Sequence, residues 1–131
     1  MSTSTEHALD TNAAIALMAA DAALRARLGP AAAVAIPLVV LGELYFGAEH
    51  SQRVAENVAR VDNIRSTTRI LPMDVQTARE FGRVHHRLRS KGKPIPENDM
   101  WIAAVAIQHN LPLVSRDQHF NEVDGLHVIS W

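Results

Sequence analysis

Apolar residues fall along this chain in short runs, and the spacing inside the runs switches between the period of a strand and that of a helix. Glu6 to Asp10 reads as a short strand ending in a carboxylate, followed by a helix from Asn12 to Met18. Asp21 to Leu28 is a second helical stretch, stopped by Gly29-Pro30. Ala33 to Ile36 gives a buried strand, and beyond Pro37 the segment Leu38 to His50 is an apolar helix. Gln52 to Ile64 is a more polar amphipathic helix, Arg69 to Leu71 a third strand, and Val75 to Ser90 a helix ending in the loop Lys91 to Pro96. Asp99 to His109 is a helix whose run Met100 to Ile107 is apolar on every side, the mark of a helix buried all round. Leu113 to Ser115 and His127 to Ile129 complete the set as strands four and five.

Strands alternating with helices predict an α/β fold with a parallel sheet covered on both faces. No internal repeat, low-complexity tract or linker divides the chain, so its 131 residues are expected to form one domain. A chain of that length can bury about two-thirds of its unfolded surface and needs no staples.

Composition narrows the chemistry. There is no cysteine, which excludes disulfides, thiolate metal sites and cysteine nucleophiles. The opening MSTSTEH lacks a basic stretch followed by an apolar core, and the longest apolar run, Ala31 to Leu41, is too short to span a membrane and is broken by Pro37. The expectation is an unexported, cytoplasmic chain with no membrane partner. A net charge of −1 argues against holding nucleic acid by bulk electrostatics. Distribution matters more than the sum: Arg79, Arg83, Arg87, Arg89, Lys91 and Lys93 crowd into one segment, whereas Asp10, Glu43, Asp99 and Asp117 stand in otherwise apolar surroundings.

Topology gives those acids a meeting place. Ligands of an open parallel sheet bind beyond the carboxyl ends of the strands, where the strand order reverses. Asp10 follows strand one and Asp117 follows strand four, so both are expected at that edge. Asp99 heads a helix that returns to the start of strand four, which puts its N-terminus at the same edge, and Glu43 lies in the first turns of the helix after strand two. Each has a bland alternative as a cap, turn or surface residue, and Asn98 is expected to cap the Asp99 helix unaided. Like charges so close repel, and a hard divalent cation removes the conflict. Oxygen donors suit Mg²⁺ or Mn²⁺ with phosphate oxygens alongside; with no cysteine and no histidine pair at zinc spacing beside these acids, zinc is the weaker choice.

Five stretches, in order, carry a family resemblance: LDTN (Leu9 to Asn12), GEL (Gly42 to Leu44), NDMWIAA (Asn98 to Ala104), SRDQHF (Ser115 to Phe120) and GLHVISW (Gly125 to Trp131). Over Leu9 to Trp131 the chain resembles PIN-domain ribonucleases, and among them the VapC-type toxins of bacterial toxin–antitoxin pairs. The resemblance implies a PIN-like three-layer α/β/α sandwich with strand order 3-2-1-4-5. It also implies metal-dependent endonucleolytic cleavage of RNA, acidic site residues at Asp10, Glu43, Asp99 and Asp117, and Thr11, Asn12 and Ser115 as polar companions. Family members pair as homodimers and are silenced by a cognate antitoxin that covers the acidic pocket; the apolar helix around Leu44, Tyr45 and Phe46 offers a surface for such contacts, with core packing as the competing role. Two positions depart from the pattern: His7 stands in the first strand where an apolar residue is usual, and the acidic position at Asp117 varies in the family.

The expected chemistry is metal-assisted phosphodiester hydrolysis. Asp10 and Asp99 are expected to ligate Mg²⁺ or Mn²⁺, Glu43 to act as ligand or general base, and Asp117 to hold a water of the metal, with Ser115 and Thr11 orienting the carboxylates. Arg79, Arg83 and Arg87 form a stripe with His86, opposite Ala78, Phe81, Val84 and Leu88, that could carry RNA phosphates; a plain solvated face is the alternative. His85 and His86 are read as surface residues and Trp101 as core. Three other functions compete with the nuclease. A haloacid-dehalogenase-type phosphatase needs an aspartate where Asn12 stands, and a receiver-type domain needs a lysine after strand five. A non-catalytic PIN-like module that binds RNA or a partner without cutting is the remaining alternative, and the full set of acids ranks it below the nuclease.

Overall fold

The computed structural model describes residues 5–131; Met1 to Ser4, the start of the polar opening segment, lie outside the described residues. The elements in order are β1 (Glu6–Leu9), α1 (Thr11–Met18), α2 (Ala22–Leu28), β2 (Ala33–Pro37), α3 (Leu38–Glu49), α4 (Val54–Thr67), β3 (Arg69–Leu71), α5 (Val75–Ser90), α6 (Glu97–Gln108), β4 (Leu113–Val114), a 3-10 turn (Gln118–Glu122) and β5 (Val128–Ile129). Every strand pair is parallel, in the order β3-β2-β1-β4-β5. Both the α/β class and the strand order agree with expectation. Successive connections step one way from β1 to β3 and then back to β4, so right-handed crossovers set α1 to α4 on one face and α5 and α6 on the other.

Register decides what reaches the sheet edge. Ala8 pairs with Leu113 and Leu9 with Val114, so Asp10 and Ser115 come level as the two strands end. Ala8, Leu9, Leu113 and Val114 are fully buried, as are Ala35 and Ile36 of β2. Strands buried on both faces read as continuous apolar runs rather than alternating ones.

The helix read as buried all round is so: Met100, Ile102, Ala103, Ala104, Val105 and Ala106 of α6 are all in the core. α5 braces it. Phe81 stacks on Trp101 with ring centroids 3.8 Å apart, which makes Trp101 a packing residue. At the other end of the pair, Thr77, fully buried, donates its hydroxyl to Gln108 Oε1, and Gln108 Nε2 donates to Asp74 Oδ1 at 2.8 Å. The α5 N-terminus thus meets the α6 C-terminus, and the helices run antiparallel. Asp74 and Thr77 also form a reciprocal capping box at the head of α5.

Several local expectations need correction. Thr77, not Ala78, takes the buried place on α5, and Ala78 is exposed. The apolar stretch on α3 divides: Leu44 is core, Tyr45 is half-buried and bonded to Asp62, and Phe46 is 70% exposed and stacked on His50. No helix among the described residues is long and apolar enough to cross a membrane.

Replacing Thr77 by Val keeps the shape and removes the hydroxyl, leaving Gln108 Oε1 without its donor. A loss of about 1–3 kcal/mol is expected, read as a lower urea midpoint at unchanged m-value. An unshifted midpoint would show that the Asp74–Thr77–Gln108 network carries no stability.

Candidate metal centre at the carboxyl edge of the sheet

Asp10 sits at the point where β1 gives way to α1. It is 4% exposed, and its backbone is extended, so it serves as N-cap, taking the Ala13 N–H on Oδ1 at 2.8 Å. Its other oxygen accepts the Ser115 hydroxyl at 2.5 Å, a short charge-assisted bond between the ends of β1 and β4. Ser115, 1% exposed, in turn accepts the backbone N–H of Asp117 at 2.9 Å. One hydroxyl therefore fixes two acids. The capping role and the site role are held by the same aspartate.

Asp99 arrives from the other direction. α6 opens at Glu97 with Pro96 in the cap position and no side-chain cap bond. Asn98 is therefore not the cap: the fixed, extended backbone of Pro96 starts the helix and its carbonyl accepts the Met100 N–H at 3.2 Å. Asp99 lies in the first turn, where the helix dipole favours a carboxylate, yet its side-chain bond goes outward to His119. The 3-10 turn that carries His119 was not expected from the sequence. It forms because Asp117 Oδ1 accepts the His119 N–H at 2.9 Å and Phe120, 1% exposed, plugs into the core.

Donor atoms of Asp99, Asp117 and His119 all lie within 4.8 Å of one another. His119 Nδ1 stands 3.2 Å from Asp99 Oδ2 and 3.0 Å from Asp117 Oδ1. Asp10 and Glu43 stand outside that tight trio but share its field: the charge of Asp117 acts on Asp10, and those of Asp117 and Glu43 act on Asp99. Glu43 Oε1 and the Thr11 hydroxyl are buried without a hydrogen-bond partner. Asn12 is exposed, on the solvent side of α1. Arg79, Arg83 and Arg87 are exposed on α5, with Arg83 paired to Glu80 at 2.8 Å. The stripe ends nearest the acidic edge at Arg87, and Arg79 lies about 12 Å further along the helix axis.

Burial drives the Asp10 carboxyl above its ordinary value; the bonds from Ser115 and Ala13 pull the other way, and the Asp117 charge adds to the rise. Asp99 is raised by burial too, with the His119 hydrogen bond opposing and the Asp117 charge reinforcing. The carboxylates of Asp99 and Asp117 with the His119 nitrogen, and the unpartnered Glu43 oxygen in the same field, fit a divalent cation by the chemistry of their donor set.

The stability consequence has a definite sign. For an aspartate with a raised folded pKa, the stabilisation is complete below the unfolded value and is lost as pH rises through the folded one. In EDTA, the melting temperature of wild type should therefore fall relative to Asp99→Asn as pH rises from about 4 to about 7. Mn²⁺ should raise the wild-type value more at neutral pH than in acid, because ligands must be deprotonated. A pH-independent gap between the two proteins would contradict the burial account.

This arrangement has relatives. The PIN domain family profile matches residues 8–126. Ribonuclease VapC2 of Haemophilus influenzae is 36% identical over 94 residues, 71% of each chain. The tRNA(fMet)-specific endonuclease VapC of Shigella flexneri is 32% identical over 97 residues, 73% of this chain and 74% of that one. Among solved structures, VapBC2 from Rickettsia felis bound to a DNA fragment from their promoter superposes with a TM-score of 0.87 at 25% identity, over 97% of this chain and 99% of that one. The chain belongs to the PIN-domain family, among its VapC ribonucleases.

Proposed function

We propose that this VapC-family ribonuclease is the toxin of a type II toxin–antitoxin pair and hydrolyses RNA phosphodiester bonds in the cytoplasm with Mg²⁺ or Mn²⁺. The observation that carries the metal is the crowding of Asp10, Glu43, Asp99 and Asp117 at one sheet edge, where no lysine or arginine among the described residues forms an ion pair with any of them. Asp99 and Asp117 would hold the ion, with Asp10 and Glu43 adding charge beside it. When bound, a divalent cation supplies Lewis acidity toward a phosphoryl oxygen and lowers the pKa of water.

The chain's own groups have separable tasks. Ser115 and the Ala13 N–H hold the Asp10 carboxylate in one orientation, so it presents its free lone pairs toward the pocket without reorganising. Glu43, whose buried Oε1 has no hydrogen-bond partner, would serve as ligand or as general base toward the attacking water. The buried, unpartnered Thr11 hydroxyl lies beside Asp10 as a polar companion of the acids. Arg83 and Arg87 offset the repulsion that an acidic pocket exerts on RNA.

A cognate antitoxin is part of the proposal, because solved relatives are VapBC complexes. The groove it would enter runs between α1, α3 and α4, lined by Ile15, Met18, Leu44, Ala48 and Val61, with Glu43 at its margin. Pairing as a homodimer belongs to the same proposal, with the exposed Phe46 ring as a candidate contact.

Cleavage of structured RNA by the purified chain in Mg²⁺ or Mn²⁺ is expected to drop about a hundredfold or more in EDTA and in Asp10→Asn or Asp99→Asn. Persisting cleavage in EDTA would remove the metal; RNA binding with no cleavage in any cation would favour a non-catalytic binding module. Neutralising Arg83 and Arg87 should weaken RNA binding and flatten its salt dependence, by about one unit of slope for each phosphate no longer neutralised, with Arg79 mattering less. An unaltered slope takes the stripe out of the RNA path.

A further inference from the structure

Four carboxylates account for the oxygen donors of the pocket, but the group of atoms packed most closely there includes a nitrogen. Among the described residues, His119 is the histidine whose ring points into the acidic cluster, and its place is built rather than incidental. Asp117 binds its backbone N–H, Phe120 beside it is locked in the core, and the same Asp117 is tied through Ser115 to Asp10. The ring is thus positioned by the bonds that position the acids. The side chain keeps 49% of its surface exposed, so the ring stands at the solvent border of the cluster.

The separations are those of neighbouring ligands. Two donor atoms at right angles on one ion, each at about 2.1 Å from it, stand about 3 Å apart. Nδ1 lies 3.0 Å from Asp117 Oδ1 and 3.2 Å from Asp99 Oδ2.

We propose that His119 Nδ1 is a direct ligand of the divalent cation beside Asp99 and Asp117, and that this nitrogen turns the site's preference from Mg²⁺ toward Mn²⁺ and the later first-row cations. It rests on reading the pocket as a metal site. Mg²⁺ strongly prefers oxygen, whereas imidazole is a good ligand for borderline cations, and affinities for them rise along the first-row series. Exchanging one oxygen donor for a ring nitrogen therefore penalises Mg²⁺ selectively.

The test uses the whole chain, stripped of metal with EDTA and loaded with Mn²⁺ alone. Pulsed electron paramagnetic resonance should show coupling of the Mn²⁺ electron spin to a directly bound nitrogen. Growth on [¹⁵N]histidine should change the isotope pattern, and His119→Ala should abolish it. The variant should bind Mn²⁺ about tenfold or more weakly, while Mg²⁺ affinity, measured by competition, changes much less. Mn²⁺ that binds without nitrogen coupling, or with coupling that survives in His119→Ala, overturns the assignment of His119 and leaves the metal site standing. Failure of Mn²⁺ to bind at all overturns both. Isotope exchange on the wild-type protein shows that the bound nitrogen is a histidine's, and His119→Ala, with a melting transition kept as the check on its fold, shows which histidine it is.

Discussion

The pairing of β1 with β4 is the constraint from which the site follows. Their register brings Asp10 level with Ser115, and the hydroxyl between them ties the end of one strand to the end of the other while catching the Asp117 amide. In a parallel pair a slip of one residue sends each side chain to the opposite face. Such a slip would set Asp10 against the wrong neighbour and expose apolar residues now fully buried, so the apolar core enforces the alignment of the acids. Packing energy and the geometry of the acidic cluster are here the same requirement.

The second half of the pocket depends on α6, which is held by different means. Ala103, Ala104 and Ala106 have no exposed surface, and small side chains let the helix lie close against its neighbours. α5 fixes its axial position through the Phe81–Trp101 stack and the Thr77–Gln108 bond. Asp99 is consequently presented by a helix with little freedom to slide, which favours a site assembled before substrate arrives. The 3-10 turn that supplies His119 is short and partly exposed, and it reaches a comparable fixity through Phe120 and the Asp117 side chain.

What the sequence made legible was whatever a period or a chain position encodes. Alternating elements gave the parallel sheet, the all-round apolar run gave α6, and the position of each acid relative to a strand end gave the edge where Asp10, Asp99 and Asp117 meet. Less legible were features set by contacts distant along the chain. His119 carries no periodic signal; only its place two residues after Asp117, next to a buried aromatic, hinted that a turn would fold it back. Pro96 rather than Asn98 begins α6, because a fixed proline backbone already supplies the extended geometry that a cap needs. Thr77 is buried for the sake of Gln108, thirty-one residues away, and no local pattern on α5 reports such a partner.

Charge balance is the remaining step. A protein that clustered these carboxylates for structure alone would be expected to neutralise them with its own cations, since an unpaired buried charge is costly. Arg116 is ideally placed to do so, lying between Ser115 and Asp117. It turns away instead: its Nε donates to the Trp131 main-chain oxygen at 2.7 Å, and its guanidinium lies 4.3 Å from the centre of the Trp131 ring. The stacking contact and the hydrogen bond give the guanidinium an alternative that competes with the acids. The basic residues of α5 and the loop after it form no ion pair with these acids either; Arg83 pairs with Glu80 and Lys91 with Asp124. Beside the His119 ring, which is charged only when protonated, no basic side chain among the described residues pairs with the acids of the pocket. The divalent ion proposed above would balance their charge with the least bulk, leaving room in the same space for a phosphate.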